Sequence, residues 1–332
     1  MYPRALLSAL PLILTSCASR GFGEAQLPLA DPGQDVARVI LIGDTGALPV
    51  EGDPHKMTPA QRAQLRESLR GEEATIILDL GDLFYNKAPE CKRGDDPERA
   101  GELLDANLYD HVGGLGPAVF LVLGNHDVGP YGEYLKRRFF GRRAGKRSAS
   151  RERCYSLYAE QHEEMIFPDT SYGVDIGPAR VAVLHTSAPH RQWPGDPVKE
   201  FLEEDNGDWA IVAGHHVYKT ACDKVGDDFV GGRLAEQEIT PDLYVNGHAH
   251  LLQMGVFDGV PAATSGSGSK LREFPGCEPT ATEGVLWGES SFGYAVLDIT
   301  PQTLRVAFKD IAGQELYCWQ RGRDNPQGES CK

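Results

Sequence analysis

One short pattern occurs five times along the chain, and it restricts the fold more than any other feature of the sequence. In each case a short apolar run ends at a glycine, and the glycine is followed by Asp, Asn or His. The five pairs are Gly43-Asp44, Gly81-Asp82, Gly124-Asn125, Gly214-His215 and Gly247-His248. Apolar runs without alternation are typical of strands that are buried on both faces of a sheet. Because helix-like patterns over 59–69 and 97–108 separate several runs, the sequence predicts an α/β fold.

The residues that follow these glycines all have side chains that can bind a metal ion. In open α/β sheets, ligands bind at the carboxyl ends of the strands, where glycine allows a sharp turn, so we expect these side chains to meet. His248 and His250 are two residues apart, and an extended segment would direct both imidazoles to the same face. The mixture of carboxylate, amide and imidazole groups suits Fe, Zn or Mn better than calcium. One carboxylate can bridge two such ions at a separation of ~3.5–4 Å.

The motifs around these pairs occur in an order that resembles a known superfamily. They are G-D-T-G (43–46), G-D-L-F-Y (81–85), G-N-H-D (124–127), G-H-H (214–216) and G-H-A-H (247–250). Together they resemble the calcineurin-like metallophosphoesterases, many of which open with D-x-H. Here position 46 is Gly46, and Tyr85 follows Asp82 by three residues, which resembles the purple acid phosphatases in their small single-domain form. Over 37–270, the resemblance implies a four-layer α/β/β/α sandwich with two mixed sheets and the site at the strand ends.

The resemblance also implies seven metal ligands divided between two ions. The first ion, typically Fe(III), would be bound by Asp44, Tyr85 and His250. The second ion, which is Fe, Zn or Mn in various members, would be bound by Asn125, His215 and His248. Asp82 would bridge the two ions. A phenolate from Tyr85 suits a hard trivalent ion, and the alternative is that Tyr85 only packs in the core.

The implied reaction is hydrolysis of a phosphate ester, in which His126 faces the substrate phosphate. A general acid must also protonate the leaving group. Here the chain departs from the family, whose members usually carry another histidine after the fourth motif, because 217–231 contain no histidine. His126 and His216 are therefore the two candidate catalytic residues. Asp127 is predicted to orient a neighbouring histidine and not to bind metal.

Hydrolysis of phosphate monoesters, of the acid phosphatase type, is the function that the resemblance implies, with a small phosphorylated substrate as the partner. The first alternative is a phosphodiesterase or nucleotidase of the same fold that uses Mn or Zn. The second alternative is a non-catalytic lipoprotein whose metal site is structural. Structural sites are closed, whereas seven ligands over two ions leave positions for water, and this favours an enzyme.

The charge of the chain argues against nucleic acid as a partner. The formal net charge is -15, and an acidic surface repels the phosphate backbone of DNA and RNA. An anionic substrate then needs a local positive field from metal ions or basic side chains. Nine Lys and Arg residues lie within 132–153, next to the Asn125-His126 turn. This basic segment is interpreted either as a rim that attracts phosphate or as a solvated helix and loop.

The N-terminus has the features of an export signal. Residues 1–17 contain Arg4, a short apolar run and the sequence Leu14-Thr15-Ser16-Cys17, which resembles a bacterial lipobox. The resemblance implies cleavage before Cys17 and acylation of its thiol, which would anchor the protein to a membrane. Ala18 after the cysteine favours the outer membrane, with the protein facing the periplasm or the cell surface. The alternative is a plain signal peptide with an incidental cysteine.

The rest of the chain is predicted to be one domain. Residues 18–36 are rich in Gly, Pro and small polar residues and are interpreted as a tether, and 37–332 as the metallophosphoesterase domain. Apart from Cys17, the cysteines are Cys91, Cys154, Cys222, Cys277, Cys318 and Cys331. An even number in an exported chain predicts disulfides, although the sequence does not choose their pairing. The sequence gives no indication of the oligomeric state.

Overall fold

The structure is a computed structural model in which two eight-stranded sheets pack face to face between layers of helices. It describes residues 22–25, 36–85, 88–128, 143–188, 193–204, 209–220, 229–272 and 282–331, with the side chains of 143–147 excepted. The predicted signal peptide with Cys17, and most of the basic segment, lie outside the described residues.

The first sheet contains the strands that precede three of the glycine turns. In spatial order its strands are β16 (Glu329–Ser330), β15 (Glu315–Gly322), β14 (Thr303–Asp310), β13 (Gly293–Ile299), β2 (Ala37–Ile42), β3 (Ile76–Asp79), β4 (Ala118–Leu121) and β5 (Met165–Ile166). Strands β2 to β5 are parallel, whereas β13 to β16 are antiparallel, so the sheet is mixed. Ile42 pairs with Asp79, and Asp79 with Leu121. The turns after β2, β3 and β4 therefore lie side by side.

The second sheet contains the strands that precede the two histidine turns. In spatial order its strands are β1 (Gly23–Ala25), β6 (Tyr172–Asp175), β7 (Ala179–Leu184), β8 (Trp209–Gly214), β9 (Leu243–Asn246), β11 (Val260–Ser265), β10 (Leu252–Phe257) and β12 (Val285–Glu289). Strands β7, β8, β9 and β11 are parallel, and β10 is antiparallel to both of its neighbours. Ala213 pairs with Val245, so the turns after β8 and β9 share one edge of this sheet.

Strand β2 shows why the apolar runs lack alternation. Val39 and Leu41 belong to the core between the two sheets, which also contains Ile211 of β8. Ile40 and Ile42 belong to a second core on the opposite face of the first sheet. These four side chains are 0% exposed, so the predicted burial of the apolar run of β2 on both faces is confirmed.

Helices cover the outer face of each sheet. The helices of the described residues are α1 (Pro59–Gly71), α2 (Pro97–Leu104), α3 (Tyr109–Val112), α4 (Asn125–Val128), α5 (Arg143–Gln161), α6 (Gly195–Glu203) and α7 (Phe229–Glu236). Side chains of α1, α2, α3 and α5 pack in the core outside the first sheet. Those of α6 and α7 pack in the core outside the second sheet. The predicted α/β/β/α sandwich with two mixed sheets is confirmed.

The first predicted helix, over 59–69, is confirmed as α1. The Thr58 side chain accepts a hydrogen bond from the Gln61 amide at 3.2 Å, and the Gln61 side chain accepts one from the Thr58 amide at 2.8 Å. This reciprocal capping fixes the start of the helix. The helix predicted over 97–108 is shorter, because α2 ends at Leu104 and a turn leads into α3.

Part of the segment 18–36, interpreted as a tether, is built into the second sheet. Gly23–Ala25 pairs in parallel with β6. The ring of Phe22 lies 5.7 Å from the ring of Phe201, between their centroids. These residues therefore belong to the folded domain and not to a free linker.

Two disulfides cross-link the described part of the chain. Cys91–Cys154 ties the loop before α2 to α5, and Cys318–Cys331 ties β15 to the C-terminal segment. The prediction of disulfides is confirmed for these four cysteines, and Cys222 and Cys277 lie outside the described residues. Disulfides of this kind are consistent with an exported protein. Among the described residues, we find no helix with the length and apolar character that crossing a membrane requires.

Candidate metal centre

Four of the candidate ligands have a left-handed backbone conformation. The φ angles are 58° at Asp44, 56° at Asp82, 69° at His248 and 55° at His250. Residues other than glycine rarely adopt this region, and when they do so at several positions of one site the surrounding structure must hold them there. Hydrogen bonds across the strand ends do this: for example, the Asp44 amide donates to the carbonyl of Gly81 at 2.8 Å.

The glycines before the ligands leave room that a side chain would fill. Gly81 has a φ of 95°, and a Cβ added there would lie 2.7 Å from His215 Nδ1. A Cβ added at Gly124 would overlap the carboxylate of Asp82. The strand ends can therefore approach one another only because these positions lack side chains.

The first cluster of candidate ligands consists of Asp44, Asp82 and His250. One ligand atom of each lies within 4.8 Å of the others. The hydroxyl of Tyr85 joins this cluster: it donates to Asp44 Oδ1 at 2.6 Å and lies 2.9 Å from His250 Nε2. The cluster thus combines three oxygen-bearing side chains with one imidazole.

The second cluster consists of Asp82, His215 and His248, again with one ligand atom of each within 4.8 Å of the others. His215 Nε2 lies 3.1 Å from Asn125 Oδ1, 3.1 Å from His248 Nδ1 and 3.3 Å from Asp82 Oδ1. His215 Nδ1 lies 2.9 Å from the carbonyl of Leu80. A backbone carbonyl can only accept, so Nδ1 carries a proton and Nε2 is the ring atom that would bind a cation after losing its own proton.

The side chains of the two clusters fit a pair of metal ions. Asp82 belongs to both clusters, and its carboxylate is 1% exposed. Buried carboxylates that lie this close to one another and to imidazoles require compensating positive charge. Carboxylate, phenol, amide and imidazole donors are typical ligands of Fe, Zn and Mn. The seven predicted ligands therefore meet at one place, and the clusters indicate a dinuclear metal site that shares Asp82.

His126 lies at the entrance of this site. Its side chain is 39% exposed, and Nε2 lies 4.0 Å from Asp82 Oδ2. The ring centroids of His126 and Tyr85 are 4.8 Å apart. The His126 amide donates to Asp82 Oδ1 at 2.8 Å, so the backbone of α4 holds the shared carboxylate.

His216, the other candidate catalytic residue, lies deeper than His126. It is 1% exposed, and Nδ1 lies 2.9 Å from Thr186 Oγ1. Its ring centroid is 4.7 Å from that of His248. The side chain therefore contacts a candidate ligand from within the protein, whereas His126 is open to solvent.

Comparison with known proteins agrees with this geometry. Residues 37–252 match the calcineurin-like phosphoesterase family. The chain belongs to this family. Purple acid phosphatase 4 of Arabidopsis thaliana is 28% identical over an alignment of 312 residues that covers 86% of this chain and 83% of that protein. Purple acid phosphatase 7 of the same plant is 30% identical over an alignment of 299 residues that covers 84% of each chain. The phosphoesterase is thus a purple acid phosphatase-like member of the family.

Solved structures show the same fold. The purple acid phosphatase PPD1 from yellow lupin (Lupinus luteus) seeds matches with a TM-score of 0.60 and 15% identity, over 90% of this chain. The phosphoesterase spans 56% of the lupin chain. GAP50, the anchor in the inner membrane complex of Plasmodium, matches with a TM-score of 0.58 and 16% identity, over 86% of this chain and 89% of that chain.

The side chains that are candidate metal ligands of the phosphoesterase shift one another's pKa values. Burial disfavours the charged form of His215, but the charge and hydrogen bond of Asp82 outweigh this effect and raise its pKa to about 10. Burial would raise the pKa of Asp44, yet the charge of His250 lowers it. Burial and then the charge of Asp44 raise the pKa of Tyr85 well above its ordinary value. Metal binding must displace protons from such groups, so metal affinity should increase with pH.

The prediction that Asp127 orients a histidine is wrong. Its Oδ1 accepts hydrogen bonds from the Tyr155 hydroxyl at 2.7 Å and the Phe84 amide at 3.1 Å, and its Oδ2 accepts one from the Gly124 amide at 2.7 Å. Asp127 therefore ties the turn after β3 to the turn after β4. No motif in the sequence indicates Tyr155 as its partner.

A lysine that the sequence does not single out also lies at the site. Lys270, in the segment after β11, has its Nζ 4.4 Å from the centroid of the Tyr85 ring. It is half-buried. A single lysine without motif context gives no signal in the sequence, and only the fold reveals its position.

Proposed function

We propose that this phosphoesterase hydrolyses phosphate monoesters, as an acid phosphatase that uses two metal ions. The observation that carries the proposal is the pair of buried ligand clusters that share Asp82. The names of its relatives agree with it, since the two plant relatives described above are purple acid phosphatases.

The contacts within the two clusters support the ligand assignment. Asp44, Tyr85 and His250 would bind the first ion, and Asn125, His215 and His248 the second, with Asp82 between them. The oxygen-rich first set, which includes a phenol, suits Fe(III), and the second set suits Fe, Zn or Mn. The contacts of the Tyr85 hydroxyl with Asp44 and His250 support its role as a ligand over simple packing.

The protein's own groups prepare the reaction around these ions. When bound, the ions would supply Lewis-acid polarisation of the phosphate and a water nucleophile of lowered pKa. His126 is the better candidate to protonate the leaving group, because it faces solvent next to the shared carboxylate. Burial lowers its pKa, and Asp82 partly opposes this, so His126 carries its proton mainly in acidic solution. His216 would act as a positioning residue, through its contacts with Thr186 and His248.

A monoester is favoured over a diester by charge. The monoester carries two negative charges near neutral pH, whereas a diester carries one. Lys270 adds a fixed positive charge beside the first cluster. This charge interacts more strongly with the dianion.

The experiment compares 4-nitrophenyl phosphate with bis(4-nitrophenyl) phosphate, using the purified full-length protein loaded with Fe(III) and Zn. We expect a higher kcat/KM for the monoester, and loss of activity towards both esters in Asp82→Asn. Asp298→Asn is the matched control, because Asp298 pairs with Arg38 on the surface of the first sheet. Faster hydrolysis of the diester would support the phosphodiesterase alternative, and an active Asp82→Asn variant would contradict the two-metal mechanism.

We also propose an exported protein that is anchored by a lipid on Cys17 to the outer membrane, facing the periplasm or the cell surface. The lipobox-like sequence before Cys17 supports the anchor. The two disulfides support an oxidising compartment. Nucleic acid is not a proposed partner, because the net charge of -15 opposes it.

A further inference from the structure

Lys270 lies one aromatic ring away from the first ligand cluster. Its Nζ is 4.4 Å from the centroid of the Tyr85 ring. The Tyr85 hydroxyl is in turn 2.6 Å from Asp44 Oδ1. The face of a phenol ring attracts a cation, so Tyr85 holds the ammonium group at this position.

The backbone around Lys270 is fixed on both sides. Lys270 forms a β-bridge with Lys56, and the Leu271 amide donates to the carbonyl of His55 at 2.9 Å. The Arg272 amide donates to the carbonyl of His250, a candidate ligand, at 3.3 Å. The ammonium group is therefore positioned before any substrate arrives, and a pre-positioned group loses less entropy when it binds.

Within the part of the chain that the structure describes, the positive charge at this position is not neutralised by an ion pair. Among the described residues, no carboxylate oxygen lies within 4.0 Å of Lys270 Nζ or of the Arg272 guanidinium group. Lys56 does have a partner, Asp53, whose Oδ2 is 3.5 Å from its Nζ. Lys270 thus places a positive charge beside the site, and Arg272 follows it two residues later; we call these two residues the cationic rim, on a chain whose net charge is -15.

We propose that Lys270, supported by Arg272, binds a second anionic group in the organic part of the substrate. The inference rests on the proposed phosphatase function, in which the reacting phosphate is bound by the two ions. Positively charged side chains outside the metal site can then pair with a negative charge in the organic part of the substrate. Lys270 would be a specificity-determining residue that favours phosphate monoesters bearing a second negative charge.

The test uses two substrates that differ in one charge. These are 4-carboxyphenyl phosphate and 4-carbamoylphenyl phosphate, which have nearly the same shape. We expect the wild-type protein, loaded with Fe(III) and Zn, to favour the carboxylate by a factor of about ten in kcat/KM, which corresponds to the lower end of what one hydrogen bond to a charged group contributes. Lys270→Gln should abolish this preference, and Lys270→Arg should retain most of it. Differences between the leaving groups cancel, because the ratio is compared between variants.

The matched control is Lys199→Gln. Lys199 lies on α6, where its Nζ is 2.7 Å from Glu238 Oε2. Its replacement therefore removes one positive charge from the protein but leaves the cationic rim unchanged. The ratio of the two substrates should be the same in this variant as in the wild type. An equal loss of preference in Lys199→Gln would assign the effect to net charge and would overturn the role of Lys270.

A binding measurement separates this inference from the proposed function. Calorimetry with 4-carboxybenzylphosphonate and 4-carbamoylbenzylphosphonate, which are not hydrolysed, should show the same preference and the same dependence on Lys270. If the wild type hydrolyses both esters with equal kcat/KM and Lys270→Gln does not change the ratio, the inference is wrong and the proposed function stands. If neither ester is hydrolysed but the phosphonates bind with a preference that depends on Lys270, the proposed function is wrong and the anion site stands. If neither hydrolysis nor binding occurs, both are wrong.

Discussion

Replacing Tyr85 with Phe removes one oxygen from the first ligand cluster and keeps the ring. In the wild type, the hydroxyl donates a 2.6 Å hydrogen bond to Asp44 Oδ1 and lies 2.9 Å from His250 Nε2. The Tyr85 side chain is buried, so the ring of Phe would occupy the same space. Any change in Tyr85→Phe is therefore attributable to the interactions of the oxygen.

Two contributions to the free energy of unfolding can be separated. Without metal, the variant loses a hydrogen bond to a buried carboxylate, which contributes about 1.5–3 kcal/mol. Asp44 still accepts a 2.6 Å hydrogen bond from the His248 amide, so we expect the lower end of that range. With Fe(III), the variant also loses a ligand, and the free energy of unfolding falls further by the lost binding free energy.

Denaturant unfolding with and without Fe(III) measures both contributions, and visible spectra report the ligand directly. A phenolate bound to Fe(III) should give an absorption band in the visible region, which Tyr85→Phe should lose. Metal binding to the variant should also release one proton fewer, which calorimetry in buffers of different ionisation enthalpy detects.

Tyr155→Phe is the matched control for this experiment. The Tyr155 hydroxyl donates to a buried carboxylate, Asp127 Oδ1, at 2.7 Å but lies outside both ligand clusters. This variant should lose similar stability and keep its colour. If Tyr85→Phe has the spectrum, metal content and proton release of the wild type, Tyr85 merely packs. A wild type that is colourless when loaded with Fe(III) would refute the iron–phenolate assignment.

Four further predictions concern separate parts of the molecule. Burial and then the charge of Asp82 raise the pKa of Asp127 from 3.8 to about 7. Without metal, Asp127→Asn should therefore gain stability relative to the wild type as the pH rises from 3.8 to about 7, measured by denaturant titration. A difference in stability that does not change with pH would contradict the raised pKa. Cys17→Ser should abolish lipid labelling and release soluble protein, and unchanged partitioning into detergent would refute the anchor. Because four cysteines are paired, the denatured, unreduced protein should have at most two thiols that react with a thiol reagent besides Cys17, and six would refute the disulfides. Neutralising Arg142, Arg143, Lys146 and Arg147 should lower kcat/KM and flatten its salt dependence, since such charges act over ~8–10 Å at physiological salt; an unchanged salt profile would favour the solvated interpretation.

The sequence predicts well where the strands end and which side chains meet there, because both depend on short stretches of chain. Each apolar run contains the side chains that bury a strand, and each glycine stands where neighbouring turns approach. Where neighbouring parallel strands pair in register, as at Ile42 and Asp79, the turns that follow them lie side by side, and no other contact is needed to align them. His215 and His248 come from the other sheet, so the rule for strand ends leads only to an expectation that they meet Asp44 and Asp82, which the resemblance to a known family supports.

The remaining features depend on contacts between distant parts of the chain. Lys270 reaches Tyr85 because its segment bridges to Lys56, and neither lysine belongs to a motif. Asp127 is paired with Tyr155 of α5, a helix whose position follows from packing against the first sheet. Periodicity within one segment carries no information about such pairs.

The left-handed backbone at Asp44, Asp82, His248 and His250 places the phosphoesterase in a trade-off between stability and function. Glycine adopts this conformation without a side-chain penalty, whereas other residues held in it cost roughly 1–3 kcal/mol each. Selection for a stable sandwich alone would therefore favour glycine at these positions. Carboxylates and imidazoles occupy them instead, so a directed-evolution experiment that selects for thermal stability in the absence of metal ions should replace the residues of the metal centre first and leave the two sheets intact.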